Sequence, residues 1–214
     1  MKTSKLIFGL MVQGVCLLSA SAQQAEMIPD ISKANDPSKW SVVNRKVTLD
    51  DGVFLNKKPG DGLLILQNFA FQNGKIDLDI KGKNDPGMSF VGFAFHGLND
   101  STFEAIYFRP FNFKNPERKN HSVQYISMPQ NDWYKLREQH PGVYENIIQP
   151  VPDPDNWFHV TVIINYPEVK VFVNNSGNPS LVIHEIGMRN TGWVGFWVGN
   201  NSEGRFKNLK ITSK

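Results

Sequence analysis

The stretch MSFVGFAFHGLNDSTFEAIYFRPFNF, Met88–Phe113, decides the fold. It holds two nearly continuous apolar runs joined by a short polar turn at Leu98–Ser101, the form that two central antiparallel strands take when both faces are covered. Three groups that resist burial, His96, Glu104 and Arg109, are set into these runs, and a charge in a dry strand must be paired or put to use. Counting back through the turn sets Ala94 opposite Glu104 and Gly92 opposite Ile106, with His96 near Thr102 on the same face. The small side chains at Gly92 and Ala94 would then floor a hollow with room for a ligand. Arg109 falls one register out of step with Glu104 and points to the other side, unless the strand bulges before Pro110.

On either side, short runs rich in Val, Ile, Phe and Tyr recur between turn clusters, the spacing of a sandwich or barrel. The pattern predicts strands at 40–49, 62–66, 74–81, 88–97, 102–109, 122–127, 158–165, 168–174, 181–186, 192–199 and 204–212, and one helix over 132–139 with Asp132 as N-cap and Pro141 as stop. In Lys75-Ile76-Asp77-Leu78-Asp79-Ile80-Lys81 apolar and charged residues alternate, so one face packs and the other meets water or a ligand. Val169-Lys170-Val171-Phe172-Val173 repeats the pattern. The central pair has little polarity on either face, which calls for a second sheet below and another cover above.

Residues 1–22 read as a signal peptide: a basic start, an apolar run over Leu6–Leu18, and Ala20-Ser21-Ala22 as the cleavage signal, with cleavage after Ala22. A lipid anchor through Cys16 is disfavoured by the bulky Val15 before it. The expectation is a secreted or periplasmic protein with no membrane association once the signal is removed. The whole chain carries a formal charge of +3; removing Lys2 and Lys5 lowers this to +1, and the one cysteine, Cys16, leaves with them. Near-neutrality of mixed sign argues against nucleic acid as a partner, and disulfides and cysteine chemistry drop out. Residues 23–39 read as a polar leader on the surface or frayed, and 40–214 as one all-β domain.

Two long irregular segments, 110–121 and 129–156, have the length of lids or binding loops. Asn112 in the first, and Trp133, Arg137, Tyr144 and Glu145 in the second, put aromatic rings beside planar hydrogen-bonding groups. That mixture suits a sugar, whose C–H face stacks on a ring while its hydroxyls bond to Arg, Asn and carboxylates. The same rings also serve simply to anchor loops. Arg109, with Gln124 and Tyr125 in the strand between the loops, completes the candidate substrate contacts.

The order of features, Phe71–Asp79, Phe90–Phe95, Trp157–Val162, Val169–Asn174, then Gly192–Trp197 with Phe206–Ile211, resembles the concanavalin A-like, laminin G-like jelly-roll superfamily. Within it the chain looks most like secreted bacterial 3-keto-disaccharide hydrolase domains. The resemblance implies two stacked antiparallel sheets, one concave, with carbohydrate bound across the concave face.

Family 16 glycoside hydrolases on this fold carry three acids at alternate strand positions. Here Asp77 and Asp79 are followed by Lys81, so that mechanism lacks its third acid. If the protein is an enzyme, Glu104 is the candidate acid or base, raised by desolvation, with His96 beside it. The alternative is a buried ion pair of Glu104 with Arg109 or Arg137. No cofactor is expected, although Asn99 with Asp100, Asn84 with Asp85, or Asp153 with Asp155 offer oxygens for calcium. The five histidines show no zinc spacing. Three readings follow: a carbohydrate-binding module, a glycoside-cleaving enzyme using Glu104, and a non-catalytic structural or protein-interaction module.

Overall fold

A computed structural model describes residues 25–214; the expected signal peptide lies outside them. Among the described residues no helix is long and apolar enough to cross a membrane. Among the described residues fifteen strands form two antiparallel sheets.

The eight-stranded sheet runs β13 (Leu181–His184), β12 (Glu168–Val173), β11 (Phe158–Asn165), β6 (Gly74–Lys81), β15 (Ser202–Ser213), β4 (Val53–Lys58), β3 (Val47–Leu49), and β1 (Ala25–Met27) also pairs with β15. The seven-stranded sheet runs β10 (Glu145–Asn146), β9 (Val123–Ser127), β8 (Thr102–Phe108), β7 (Val91–Asn99), β14 (Trp193–Val198), β5 (Gly62–Leu66), β2 (Trp40–Val43). The fold is the expected all-β jelly-roll sandwich. The one α-helix among the described residues, α1 (Trp133–Gln139), starts where the Asp132 side chain accepts a hydrogen bond from the Lys135 amide at 2.8 Å.

Alternation decides which side of the eight-stranded sheet is dry. Ile76, Leu78 and Ile80 are fully buried, while Asp77 and Asp79 meet Thr161 and His159 of β11 on the wetter outer face at 2.6 and 2.8 Å. Across the sandwich, Phe206 of β15 stacks on Phe196 of β14 at 4.6 Å, and Phe158 of β11 meets Phe108 of β8 edge-on at 5.2 Å. Such rings supply much of the burial energy of the core.

The predicted strand over 40–49 is two strands in different sheets. The chain turns at Asn44, whose φ of 51° breaks the extended run, and crosses from β2 to β3. Within the expected leader, β1 joins the sheet, Ala34 is fully buried, and the Trp40 indole donates to the Asp30 carbonyl at 3.1 Å.

The central hairpin departs from simple counting. Asn99 pairs with Thr102, but Phe95 pairs with Glu104, Ala94 with Ala105 and Gly92 with Tyr107. β7 holds two extra residues between Phe95 and Asn99, and His96 in that bulge has φ 48°. Every partner expected for Gly92 and Ala94 therefore shifts by one, which exchanges faces.

Candidate functional site

The shift takes the two groups expected to work together off the ligand face. Glu104 and His96 turn into the interior and are fully buried. Glu104 accepts hydrogen bonds from the Tyr125 hydroxyl and from Ser127 Oγ at 3.1 Å, and pairs with Arg189 at 2.6 Å. Its ion-pair partner is thus Arg189, not Arg109 or Arg137. Burial pushes the Glu104 carboxyl up, with Tyr125, Arg189 and Ser127 pulling against it. His96 Nε2 lies 2.8 Å from the Gln72 carbonyl, which only accepts, so this nitrogen carries a hydrogen; Nδ1 lies 2.9 Å from Glu185. Gly187 closes the cluster: a Cβ there would stand 2.0 Å from Glu104 Oε1. The arrangement ties the segment 185–192 to the sandwich.

The outer face of the seven-stranded sheet carries a row formed by Leu63, Trp197, Gly92, Tyr107, Gln124 and Glu145, each the register partner of the next. The Trp197 and Tyr107 rings meet over Gly92 with centroids 5.0 Å apart. Ala94, one step along, is also fully buried. The hollow expected above Gly92 and Ala94 is therefore absent at that level: rings from neighbouring strands cover Gly92, and Ala94 is out of reach of solvent.

Open space lies one layer further out. A cleft of about 790 Å³ is lined by Phe90, Arg109, Phe111, Asn112, Trp133 and Arg137, among others. A second hollow of about 370 Å³, bordered by Asp61, Tyr107, Trp197 and Asn200, shares Phe90 and Trp133 with it. Trp133 stands 44 % exposed at the junction.

Arg109 is positioned by strand alternation, since it falls on the same side as Tyr107 and opposite to Glu104. Its guanidinium donates to the Tyr107 hydroxyl at 2.5 Å and the His121 carbonyl at 3.1 Å, and lies 4.9 Å from the Tyr107 ring and 5.8 Å from that of Trp133. Arg137, one turn along α1 from Trp133, lies 5.1 Å from its ring and holds Glu145 through two hydrogen bonds, at 2.8 and 2.5 Å. His121 and Arg109 approach the same carboxylate at 2.8 and 3.7 Å. Burial pushes the Tyr107 hydroxyl up to about 12, so it stays protonated beneath the cleft.

Burial alone would raise the Glu145 carboxyl, but hydrogen bonds and charges from Arg137 and His121 outweigh it and hold the group below its ordinary 4.5. A lowered carboxylate contributes stability that is present above the ordinary value and lost as pH falls through the lowered one. The protein is therefore expected to lose part of its stability on acidification below pH 4.5, and Glu145→Gln to lose less over that range. Thermal melts at stepped pH measure this; parallel curves for the two proteins would show that the carboxylate is not coupled to folding.

Of the expected contacts, the cleft unites Arg109, Asn112, Trp133 and Arg137, with Glu145 beneath. Gln124 lies in the same row, fully buried, and neither of its amide atoms has a partner among the described residues. Tyr125 faces the interior, and Tyr144 is half-buried with its ring 5.6 Å from that of Tyr125. Tyr107, Trp197, Phe90, Asp61 and His121 belong to the site without having been singled out in the sequence. The first three sit in apolar runs, where an outward ring looks like core; the one available signal was glycine at 92 and 195, which marks where large neighbours need room. Among the described residues no three of His, Cys, Asp and Glu gather as a metal site. The Asn99 and Asp153 side chains accept hydrogen bonds from the amides of Ser101 and Asp155, as in ordinary turns.

No protein-family model and no curated protein sequence matches the chain. Solved structures do. The carbohydrate-binding module CBM66 from Bacillus subtilis superimposes with a TM-score of 0.61 at 14 % identity, over 81 % of this chain and 96 % of that one. The exoplasmic/lumenal domain of VIP36, in its form bound to Ca²⁺ and Man₃GlcNAc, gives 0.55 at 12 % identity, over 89 % and 90 %. A presumptive glycosyl hydrolase from Parabacteroides distasonis gives 0.53 at 16 % identity, over 82 % and 88 %. Likeness at this identity establishes the fold alone: the chain is a two-sheet jelly-roll sandwich.

Proposed function

We propose that this protein is a carbohydrate-binding jelly-roll domain, acting outside the cytoplasm, that holds a saccharide in the cleft over its seven-stranded sheet. The observation that carries the reading is Trp133, an exposed ring at the junction of two hollows with Arg109, Arg137 and Asn112 on one side and Asp61 and Asn200 on the other. A sugar needs an apolar platform and in-plane hydrogen-bonding groups around it, and this junction supplies both. A carbohydrate-binding module and a saccharide-bound lumenal domain share the fold, which adds support of the kind that fold can give.

In this reading Glu104 and His96 hold the interior together and do not contact the saccharide. A glycoside-cleaving role would need a substrate to reach the Glu104 carboxylate, which Tyr125, Ser127, Arg189 and Gly187 enclose.

A glycan array identifies the sugar, and calorimetry on Trp133→Ala tests the site. The substitution is expected to weaken binding roughly tenfold, about 1.4 kcal/mol for a lost stacking platform, with the melting temperature unchanged because the ring is exposed. Full affinity in the variant would remove Trp133 from the site.

A further inference from the structure

The cleft is electrically unbalanced. Arg109 and Arg137 share Glu145 as their carboxylate, and His121 leans on the same group. Arg118 lines the cleft as well, and among the described residues its guanidinium has no carboxylate within pairing distance. Glu117 is the one acid in the cleft lining. Three guanidiniums against Glu117 at the lip and Glu145 beneath leave one positive charge uncompensated, before His121 counts.

Arg118 is itself exposed at the mouth of the cleft, but the charge beneath it is not on a solvated face. Arg109 is 5 % exposed, burial pulls its guanidinium below the ordinary value, and its one carboxylate, Glu145 at 3.7 Å, is shared with Arg137 and His121. Arg137 binds Glu145 through Nε and Nη2, which leaves Nη1 unengaged. Asn112 is 3 % exposed, and its Oδ1 has no partner among the described residues, although its amide nitrogen donates to the His121 carbonyl at 2.9 Å. A buried acceptor without a donor, beside arginines that outnumber their carboxylates, describes a site that a ligand completes. A planar guanidinium fork matches carboxylate and sulfate alike, with bidentate geometry.

The neighbouring hollow has the opposite character. Its floor is the Tyr107 and Trp197 rings, and Asp61, Asp132 and Asn200 stand around it. Burial raises the Asp61 carboxyl, against the pull of the Trp197 N–H and Arg45. Acceptors of this kind bind hydroxyls and repel anions.

We propose that the site selects an anionic saccharide, with the carboxylate or sulfate of one unit on Arg118, Arg109 and Arg137 and an uncharged unit stacked over Tyr107 and Trp197. This rests on the saccharide reading above and gives it a polarity: the acidic unit lies on one side of Trp133 and the neutral unit on the other.

The test is an array of uronate-bearing and sulfated oligosaccharides, each beside its carboxyl-reduced or desulfated partner, followed by calorimetry of the hits on the purified protein. Acidic members are expected to bind at least tenfold more tightly than their neutral partners, and the preference should shrink between 50 and 500 mM salt, over which the Debye length falls from about 14 to about 4 Å. Arg118→Ala should cut that preference about tenfold, whereas Lys170→Ala, on the other sheet, should leave it intact. Binding by uronates alone or by sulfated members alone supports the proposal and identifies the anion. Neutral partners bound as tightly as acidic ones, with Trp133→Ala weakening both, would overturn the anion preference and leave the saccharide site standing. If no glycan of either kind binds, both readings fall together.

Discussion

Glu145→Ala is expected to cost the fold about 3–5 kcal/mol, the loss that follows when one partner of a buried ionic network is removed. Glu145 is 4 % exposed, and Arg137, His121 and Arg109 all converge on it. Without the carboxylate two guanidiniums face each other across a cavity, and Arg109, almost wholly buried, cannot turn to water. The same change should weaken saccharide binding more than tenfold, because Arg137 loses the fork that fixes it against Trp133. Glu145→Gln keeps an acceptor and should fall between the variant and the parent. Urea unfolding of the three proteins measures the effect. A loss below about 1 kcal/mol, the range of an exposed pair, would mean that the rings of Tyr107 and Trp133 hold both arginines unaided.

The second large effect belongs to Glu104→Ala, about 2–4 kcal/mol. The residue has no exposed surface, and its removal strands the Tyr125 hydroxyl and leaves a cavity under Gly187. Arg189 is 27 % exposed and can find solvent, which is why this cost is placed below that of Glu145. The segment 185–192 should loosen with it, visible as faster amide exchange at Ile186, whose N–H donates to Tyr125 at 3.1 Å. A variant of parental stability without glycoside-cleaving activity would instead assign Glu104 to chemistry.

The sandwich was legible because its sheets obey period two. β6 and β11 begin and end where the apolar alternation does, β5 where its continuous apolar run does, and the cap at Asp132 marked α1. What could not be read was register. β7 is apolar on both faces, so sliding it by one residue breaks no hydrophobic pattern, and nothing in the side chain of His96 announces φ 48°. That one bulge turned Glu104 inward and placed Gly92 under rings. β4 was missed because Asn56, Lys57 and Lys58 dilute its run, and β1 because three residues carry no period.

The cleft was half legible for a related reason. Loop composition exposes Trp133, Arg137 and Asn112, since rings and cations in a loop are out of place unless anchored or used. Arg189 gave no such warning: it sits in a short turn between Gly187 and Gly192, and only the chain's return to the sheet brings it to Glu104. Tyr107 and Trp197 were hidden by the opposite effect, lying in strands where every residue after the first is buried.

The central claim is that the saccharide lies over the outer face of the seven-stranded sheet, against Trp133. The five tryptophans sample the molecule well: Trp133 and Trp197 border the cleft, while the Trp157 indole donates to Asp51 beside Lys207, on the other sheet. The most direct measurement is the indole N–H spectrum of ¹⁵N-labelled protein, titrated with the tightest-binding glycan of the array. The Trp133 and Trp197 signals should move together to saturation while Trp157 stays fixed; movement of Trp157 with Trp133 unchanged would place the ligand on the other sheet and contradict the account.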